Sequence, residues 1–398
     1  MSYGLERKII YLLCPAVLTV VYDFIFYVPS ALFFGYSDLG APFIVFIVVQ
    51  SLLLFLFSLF VYEKAAKVFN GRGKGVSNLD AEPGFLLQLF SLFSVLFLLL
   101  YLFYSVFGNF DFTQLITHNA RFYAKSKIGT AWVYFVIQFF IYILIYDVYK
   151  RKPTKLRLFL TVLAIMLTGL PGGRSTLILW LVSLIWICIT VHAFRVNRFY
   201  MIVSALFFLL VFSGNAVLRS GSIGNVGGYF TSDAFRHDFN SSYILQDSID
   251  YVHDNDDYYG VALQDFLYAF LPRKIYPEKP VSTAETRLVY SDFLSDDRTT
   301  NITFGMYGNL VINLGYMGLF ISPIIVAFFT FKYFSVFSSL VRGENTVMNF
   351  YWFYFFLMYM ICLRGGVINV RLVLMFIVLT FSVFTYEFFK RAKFSIKK

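Results

Sequence analysis

Residues 154–194 read TKLRLFLTVLAIMLTGLPGGRSTLILWLVSLIWICITVHAF, two apolar runs separated by the short connection LPGGR. Each run approaches the length of about 20 residues that a helix needs to cross the hydrocarbon core of a bilayer. Two such runs with so short a connection predict a helical hairpin in a membrane. Arg174 lies in the connection beside two glycines, so the side of the membrane that this turn faces decides what its guanidinium meets.

The composition of the whole chain agrees with a membrane protein. Hydrophobic residues make up 59% of the chain and charged residues 14%, whereas soluble domains average about 45–50% and about 25%. The 51 Phe and 29 Tyr suit lipid-facing surfaces and interfacial belts. The net charge of +10 lies mostly in short connections between apolar runs, which indicates orientation in a membrane and not binding of nucleic acid.

Apolar runs of spanning length recur along the chain and predict an all-α polytopic membrane protein with about ten transmembrane helices. We expect one integral membrane domain over 1–398. The candidate spans are 9–34, 41–62, 85–107, 130–149, 156–170, 176–194, 199–217, 303–331, 347–363 and 370–389.

Lysine and arginine set the expected orientation, because cytoplasmic loops of membrane proteins are enriched in both. With the N-terminus inside, 20 of the 33 basic residues fall on the cytoplasmic side, six in short outer loops and seven in one long outer loop. The opposite orientation would place those 20 outside. Both termini are therefore expected in the cytoplasm.

The long outer loop, 218–302, holds thirteen acidic and seven basic residues. Within it, SSYILQDSIDYVHD (241–254) predicts an amphipathic helix with Ser241 as N-cap. A second apolar stretch, 260–275, could lie on the bilayer surface and end at Pro272. We expect a small helical cap within the membrane domain. The apolar face of the first helix is formed by Ile244, Leu245, Ile249 and Val252.

The three cysteines, Cys14, Cys188 and Cys362, all lie inside apolar runs. Their number is odd, and no CxxC pair or histidine cluster accompanies them. The pattern predicts small apolar core residues and neither a disulfide nor a zinc site.

Four arginines at outer helix ends run against the charge bias and form the main candidate site. They are Arg174, Arg219, Arg364 and Arg371. Glycines adjoin two of them, in PGGRS and RGGVINVR, and allow close backbone approach to a ligand. Arginine binds phosphate oxygens through two parallel hydrogen bonds, so the cluster suits a lipid diphosphate. The alternative is that these side chains reach the headgroups and only anchor the helix ends.

A proline-rich segment in the long loop, FLPRKIYPEKP (270–280), adds basic residues at the same face. Three prolines fix the backbone within nine residues, which predicts a stiff strap. Arg273 and Lys279 on this strap are candidates for phosphate or glycan binding, and a simple turn after a surface helix is the alternative reading.

At these residues the chain resembles the bacterial O-antigen polymerase (Wzy) family. The resemblance rests on the plan of about ten spans, the late outer loop, GGRST at an outer turn, PRKIYPEKP in the loop, and TFGMYGNLVINLGYMGLF (303–320). It implies a fold of the GT-C lipid-linked-sugar glycosyltransferase kind in the bacterial inner membrane. It also implies an undecaprenyl-diphosphate-linked oligosaccharide as substrate and a chain-length regulator membrane protein as partner.

The reaction that the resemblance implies is glycosyl transfer, which needs cations for the leaving diphosphate and a general base for the acceptor hydroxyl. Arginines can supply the cations, so we expect neither a metal nor another cofactor. His237 and Glu285 are the candidate bases in the outer loop. Asp254 and Asp256 are interpreted as a solvated helix end, with calcium binding as the alternative.

Three other functions fit parts of the pattern. An O-antigen ligase would perform the same chemistry with lipid A–core as acceptor. A flippase for the lipid-linked sugar should carry ionisable residues at mid-membrane and broken spans in two matching halves. Most charges of this chain lie at the ends of the apolar runs, with Asp23 and Asp147 as the exceptions, and no matching halves are visible. A membrane scaffold without activity would leave the outward arginines unexplained.

Overall fold

The computed structural model describes thirteen stretches of the chain: 11–27, 40–69, 84–108, 131–151, 154–168, 174–192, 241–255, 260, 288–289, 304–342, 344, 346–366 and 370–396. All the regular structure in them is helical. The elements are α1 (Pro15–Tyr22), a π-helical turn (Asp23–Tyr27), α2 (Gly40–Phe69), α3 (Gly84–Phe107), α4 (Ala131–Lys150), α5 (Lys155–Thr168), α6 (Arg174–Thr190), α7 (Ser241–Asp254), α8 (Gly305–Leu314), α9 (Met317–Val341), α10 (Val347–Gly365) and α11 (Val370–Ile396).

Five of the described helices contain stretches long and apolar enough to cross a membrane. These are Pro42–Lys64, Leu87–Ser105, Val133–Lys150, Met317–Leu340 and Leu372–Phe389. Large apolar side chains project from several of them; Phe97, Ile324 and Phe384 are each at least 67% exposed. Such surfaces suit lipid, and the chain is an α-helical, multi-pass membrane protein. The count of ten spans and the GT-C fold stay predictions.

Aromatic side chains hold the interior of the bundle together. Trp186 of α6 stacks on Phe353 of α10, with ring centroids 4.2 Å apart, and on Tyr333 of α9 at 5.4 Å. Aromatic residues bury large areas with few rotatable bonds, so such stacks fix neighbouring helices in one register. Cys14, Cys188 and Cys362 are all buried and unpaired, which confirms their reading as small core residues.

The first turn of α1 depends on a neighbouring helix, because the first backbone N–H groups of any helix lack partners within it. The Ala16 amide donates a hydrogen bond to Thr330 Oγ1 of α9 at 3.0 Å. Further along α1, Thr19 Oγ1 and the Tyr359 hydroxyl of α10 lie 2.6 Å apart. These polar contacts fix the depth of α1 between α9 and α10.

The expectation of one span over 303–331 is wrong. The chain forms α8, turns at Gly315 and Tyr316, and starts α9 at Met317, which continues to Val341. Gly315 has φ 63° and ψ −157°, a conformation that ends a helix. Hydropathy measures apolar content and not chain direction, so the turn was invisible to it. Every residue of α8 from Gly305 to Asn313 is buried.

Helix α7, Ser241–Asp254, confirms the helix predicted for 241–254, and the N-cap role of Ser241 stays a prediction. It packs against α8 and also reaches the π-helical turn and α2. The four apolar residues expected on one face, Ile244, Leu245, Ile249 and Val252, are all at most 9% exposed. The predicted span 199–217 and the surface stretch expected over 261–275 lie outside the described residues.

Candidate functional site

Two of the outer arginines begin or end helices at the same end of the bundle. Helices α6 and α10 meet where Trp186 stacks on Phe353. Arg174, the first residue of α6, lies twelve residues from this contact, and Arg364, near the end of α10, lies eleven. His192, just past the end of α6, and Thr346, just before the start of α10, both contact the last turn of α4, so α6 and α10 run in opposite directions. At 1.5 Å per residue both helix ends therefore rise roughly 17–18 Å from the contact, in the same direction. We call this end of the bundle the predicted outer end.

Arg371 lies toward the same end, about 6 Å closer to the middle of the bundle than Arg364. It is the second residue of α11, and Phe376, five residues later, stacks on Phe355 of α10 at 5.2 Å. The backbone therefore brings the helix termini that carry Arg174, Arg364 and Arg371 to one end of the bundle. Their role in phosphate binding stays a prediction. Arg219, Arg273, Lys279, His237 and Glu285 lie outside the described residues.

A close backbone approach joins the end of α10 to α8. Gly366, which follows α10, has φ 86°, and a Cβ placed there would lie 2.5 Å from Cγ of Asn309. Only glycine tolerates both the conformation and the contact. Because Asn309 is buried in α8, the turn after Arg364 is seated directly on this helix.

A cluster of buried polar side chains lies beneath the same end, and we call it the Asp23 cluster: Asp23, Gln50, Ser51, Tyr307 and Ser322. Ser51 of α2 and Tyr307 of α8 both donate hydrogen bonds to Asp23 Oδ2, at 2.5 and 2.8 Å. Gln50 Nε2 donates to the Tyr307 hydroxyl at 3.2 Å. Ser322 of α9 donates to Gln50 Oε1, also at 3.2 Å. The cluster therefore ties four elements together through polar contacts.

The depth of the cluster follows from the helices that supply it. Ser51 is nine residues into the apolar stretch that starts at Pro42, and Ser322 is five residues past Met317. These offsets put the cluster about 8–14 Å below the predicted outer end. Polar groups at this depth have no bulk water, so each needs a protein partner or a ligand.

Two oxygens in and beside the cluster lack such a partner. Asp23 is 1% exposed, and its Oδ1 makes no hydrogen bond within the described residues. Tyr27, four residues further in the π-helical turn, is fully buried, and its hydroxyl has none either. A Cβ at Gly305 would lie 2.9 Å from that hydroxyl, so the first residue of α8 must be small.

A second buried aspartate lies at the opposite end of the bundle. Asp147 of α4 is three residues from Lys150, the end of its apolar stretch. Its carboxylate accepts hydrogen bonds from Gln88 Nε2 at 2.9 Å and from the Tyr386 hydroxyl at 2.8 Å. Arg151 Nε lies 3.4 Å from Asp147 Oδ1 and completes an ion pair. This carboxylate thus has a cation of its own.

Acidic groups of α7 lie near the turn between α8 and α9. Burial, followed by the negative charges of Asp250 and Asp254, raises the pKa of Tyr316 above its usual value. The ring of Tyr316 stacks parallel to Phe43 of α2 at 5.8 Å. Asp254 itself is exposed at the end of α7, in line with its reading as a solvated helix end.

Sequence reasoning missed the Asp23 cluster, although part of its signal was visible. Asp23 is the lone charge in an apolar run, and Gln50 and Ser51 interrupt another. Tyr307 belongs to TFGMYGNLVINLGYMGLF, which was expected to open a span. Only the structure, with α8 as a separate helix, shows that these four residues meet.

Comparison of the chain with protein-family models, with curated proteins and with solved structures found no match. The function of this protein is therefore inferred from its own residues.

Proposed function

We propose that this protein polymerises undecaprenyl-diphosphate-linked oligosaccharide repeat units at the periplasmic face of the bacterial inner membrane. The observation that carries the proposal is the shared position of the helix termini bearing Arg174, Arg364 and Arg371 at one end of the bundle. Guanidinium groups gathered at one interface suit a ligand with several phosphate oxygens.

In the proposed reaction, a hydroxyl oxygen of the incoming lipid-linked unit attacks the anomeric carbon of the growing glycan. The bond from that carbon to the undecaprenyl diphosphate oxygen breaks as the new glycosidic bond forms. The hydroxyl proton passes to a general base, for which His237 and Glu285 are the candidates. The diphosphate leaves with its negative charge, which the outer arginines hold, together with Arg219 and the strap residues Arg273 and Lys279.

Deletion of the gene tests the proposal against its closest alternatives. Loss of a polymerase leaves lipid A–core carrying one repeat unit, and surface polysaccharide on a gel shows this directly. Loss of an O-antigen ligase leaves lipid A–core without any repeat unit. Bare lipid A–core on the gel would contradict polymerisation, and so would unchanged long chains.

A biochemical assay tests the chemistry itself. Purified protein supplied with lipid-linked repeat units should lengthen them in the presence of EDTA, because arginines provide the positive charge. Activity that EDTA abolishes and a divalent ion restores would contradict the metal-independent mechanism.

A transporter of the same lipid-linked sugar is the second candidate, and the Asp23 cluster is the observation that favours it. Buried ionisable residues inside a membrane often mark ion or substrate pathways. Deletion of a flippase would also leave bare lipid A–core, but it would trap the repeat units on the cytoplasmic leaflet. An added glycosidase should reach the trapped units on inverted vesicles and not on right-side-out vesicles if the protein is a flippase. The opposite result would indicate the ligase, whose loss also leaves bare core.

A further inference from the structure

We propose that Asp23 and Tyr27 form a binding site for a monovalent metal cation, with Na⁺ as the expected ion. The proposal is independent of the polymerase assignment. It rests on two fully buried oxygens, Asp23 Oδ1 and the Tyr27 hydroxyl, that the described residues leave without a hydrogen-bond partner.

The first argument is the missing positive charge. A carboxylate at this depth costs many kcal/mol in an apolar medium unless a positive charge or a full set of donors compensates it. Ser51 and Tyr307 donate hydrogen bonds to Asp23 Oδ2 and not to Oδ1. No lysine, arginine or histidine of the described residues forms an ion pair with Asp23, whereas Asp147 has Arg151. A bound cation would supply the positive charge that Asp23 lacks.

The second argument is the kind of cation. One carboxylate and a monovalent ion form a neutral pair, whereas a divalent ion would leave a net positive charge in apolar surroundings. In the described part of the chain no three Asp, Glu, His or Cys side chains come together. The other groups at hand are hard, neutral oxygens of hydroxyls and backbone carbonyls, which suit alkali ions better than zinc or copper.

The third argument is the backbone at the site. Asp23 and Tyr27 are the first and last residues of the π-helical turn. In such a turn the hydrogen bonds shift from i+4 to i+5, which opens the helix, and isolated π turns occur frequently at functional sites. Irregular helices inside membranes coordinate Na⁺ through carbonyls that lose their usual partners. The turn therefore offers further oxygens beside the two side chains.

Among the residues that the structure describes, none of the side chains that contact Asp23 through a hydrogen bond or an ion pair is a cation. The titratable groups close to it are phenols: Tyr22 and Tyr27 on its own segment, Tyr307 from α8 and Tyr359 from α10. Helix α7, which also packs against the turn, carries Asp247, Asp250, Asp254 and His253. Since α7 and α8 cover the site, ion occupancy should stabilise this covered arrangement.

Thermal unfolding of the purified full-length protein, followed by tryptophan fluorescence in detergent, tests the site. At constant ionic strength and pH, replacing choline chloride by NaCl should raise the Tm by about 3–5 °C and saturate. Asp23→Asn should abolish the Na⁺-specific shift, and Tyr27→Phe should reduce it. The matched control Asp147→Asn changes the other intramembrane aspartate, which already has its cation, and should keep the shift.

Direct binding provides a readout that does not depend on variant stability. Wild-type protein should bind radioactive Na⁺ with a stoichiometry of one, unlabelled NaCl should displace it, and Tyr27→Phe should weaken the binding at least tenfold. Absence of saturable Na⁺ binding by the wild type would overturn the proposal. A Tm that responds to pH but not to Na⁺ would overturn it as well, and would identify Asp23 as a buried carboxylic acid.

Discussion

The two buried aspartates of this protein differ in how their charge is balanced. Asp147 lies about 5 Å from the end of its apolar stretch, where Arg151 can pair with it and still approach the membrane surface. Asp23 lies deeper, and hydroxyls reach only one of its two oxygens. Asp147 therefore belongs to a structural ion pair at one end of the bundle. Near the other end, one carboxylate oxygen of Asp23 has no partner among the described residues.

Removal of Arg151 should give the largest effect, because it turns the paired aspartate into an unpaired one. Arg151→Met should lower the free energy of unfolding by about 3–5 kcal/mol, since breaking a buried ion pair leaves an uncompensated charge. Unfolding of the purified protein in mixed micelles measures this. Arg342→Ala removes the exposed pair with Glu344 and should leave stability unchanged. Equal losses in both variants would contradict a structural role specific to Arg151.

The arginines of the two ends should also differ in how they tolerate lysine. Arg174→Lys should reduce polymerisation about 30- to 1000-fold at normal protein abundance, because lysine lacks the planar fork that grips a diphosphate. Arg157→Lys, at the predicted inner end, is the matched control and should be active. Chain length on gels and abundance by immunoblot measure the outcome. An Arg174→Lys strain with normal long chains would reduce Arg174 to a membrane anchor.

The hydrogen bonds of the two aspartates provide a smaller, direct comparison. Tyr307→Phe and Tyr386→Phe each remove one phenol that donates to a buried carboxylate. Asp147 keeps Gln88 and Arg151, so Tyr386→Phe should cost about 1 kcal/mol of unfolding free energy. Asp23 keeps only Ser51, so Tyr307→Phe should cost about 2 kcal/mol. Equal costs, measured by the same unfolding assay, would mean that the two aspartates are equally well supported.

The smallest effect is expected from cysteine substitutions that only report which end faces outward. Ser241→Cys should react with a membrane-impermeant thiol reagent from the periplasm, and Ser77→Cys should not, with activity unchanged in both. The three native cysteines are buried and form a low background. Labelling of Ser77→Cys from outside would reverse the assignment of the two ends.

The sequence predicted well those features that depend on local composition. Seven of the expected spans coincide with one described helix each, and the apolar face of α7 is buried as its periodicity indicated. The separation of α5 from α6 before Arg174 was visible because proline and glycines separate two apolar runs. These features need no knowledge of which helix lies beside which.

The features that were missed depend on contacts between distant parts of the chain. Asp23, Ser51 and Tyr307 are separated by 28 and 256 positions, and no local pattern joins them. The break before α9 depends on the positive φ of Gly315, which hydropathy does not register. The bases and the strap residues of the predicted site lie outside the described residues, so their roles stay predictions.

The π-helical turn holds one residue more than a regular helical turn. Thr330 and Tyr359 fix α1 before the turn, and within the turn Asp23 contacts Ser51 and Tyr307 while Tyr27 lies against Gly305. Because a π turn takes up its extra residue by closing i+5 instead of i+4 hydrogen bonds, deletion of one residue there would restore a regular α-helix without displacing α1. The spacing between Asp23 and Tyr27 would change, so the two could not both keep their present neighbours. A deletion of one codon here should therefore leave α1 in place and remove the proposed cation site.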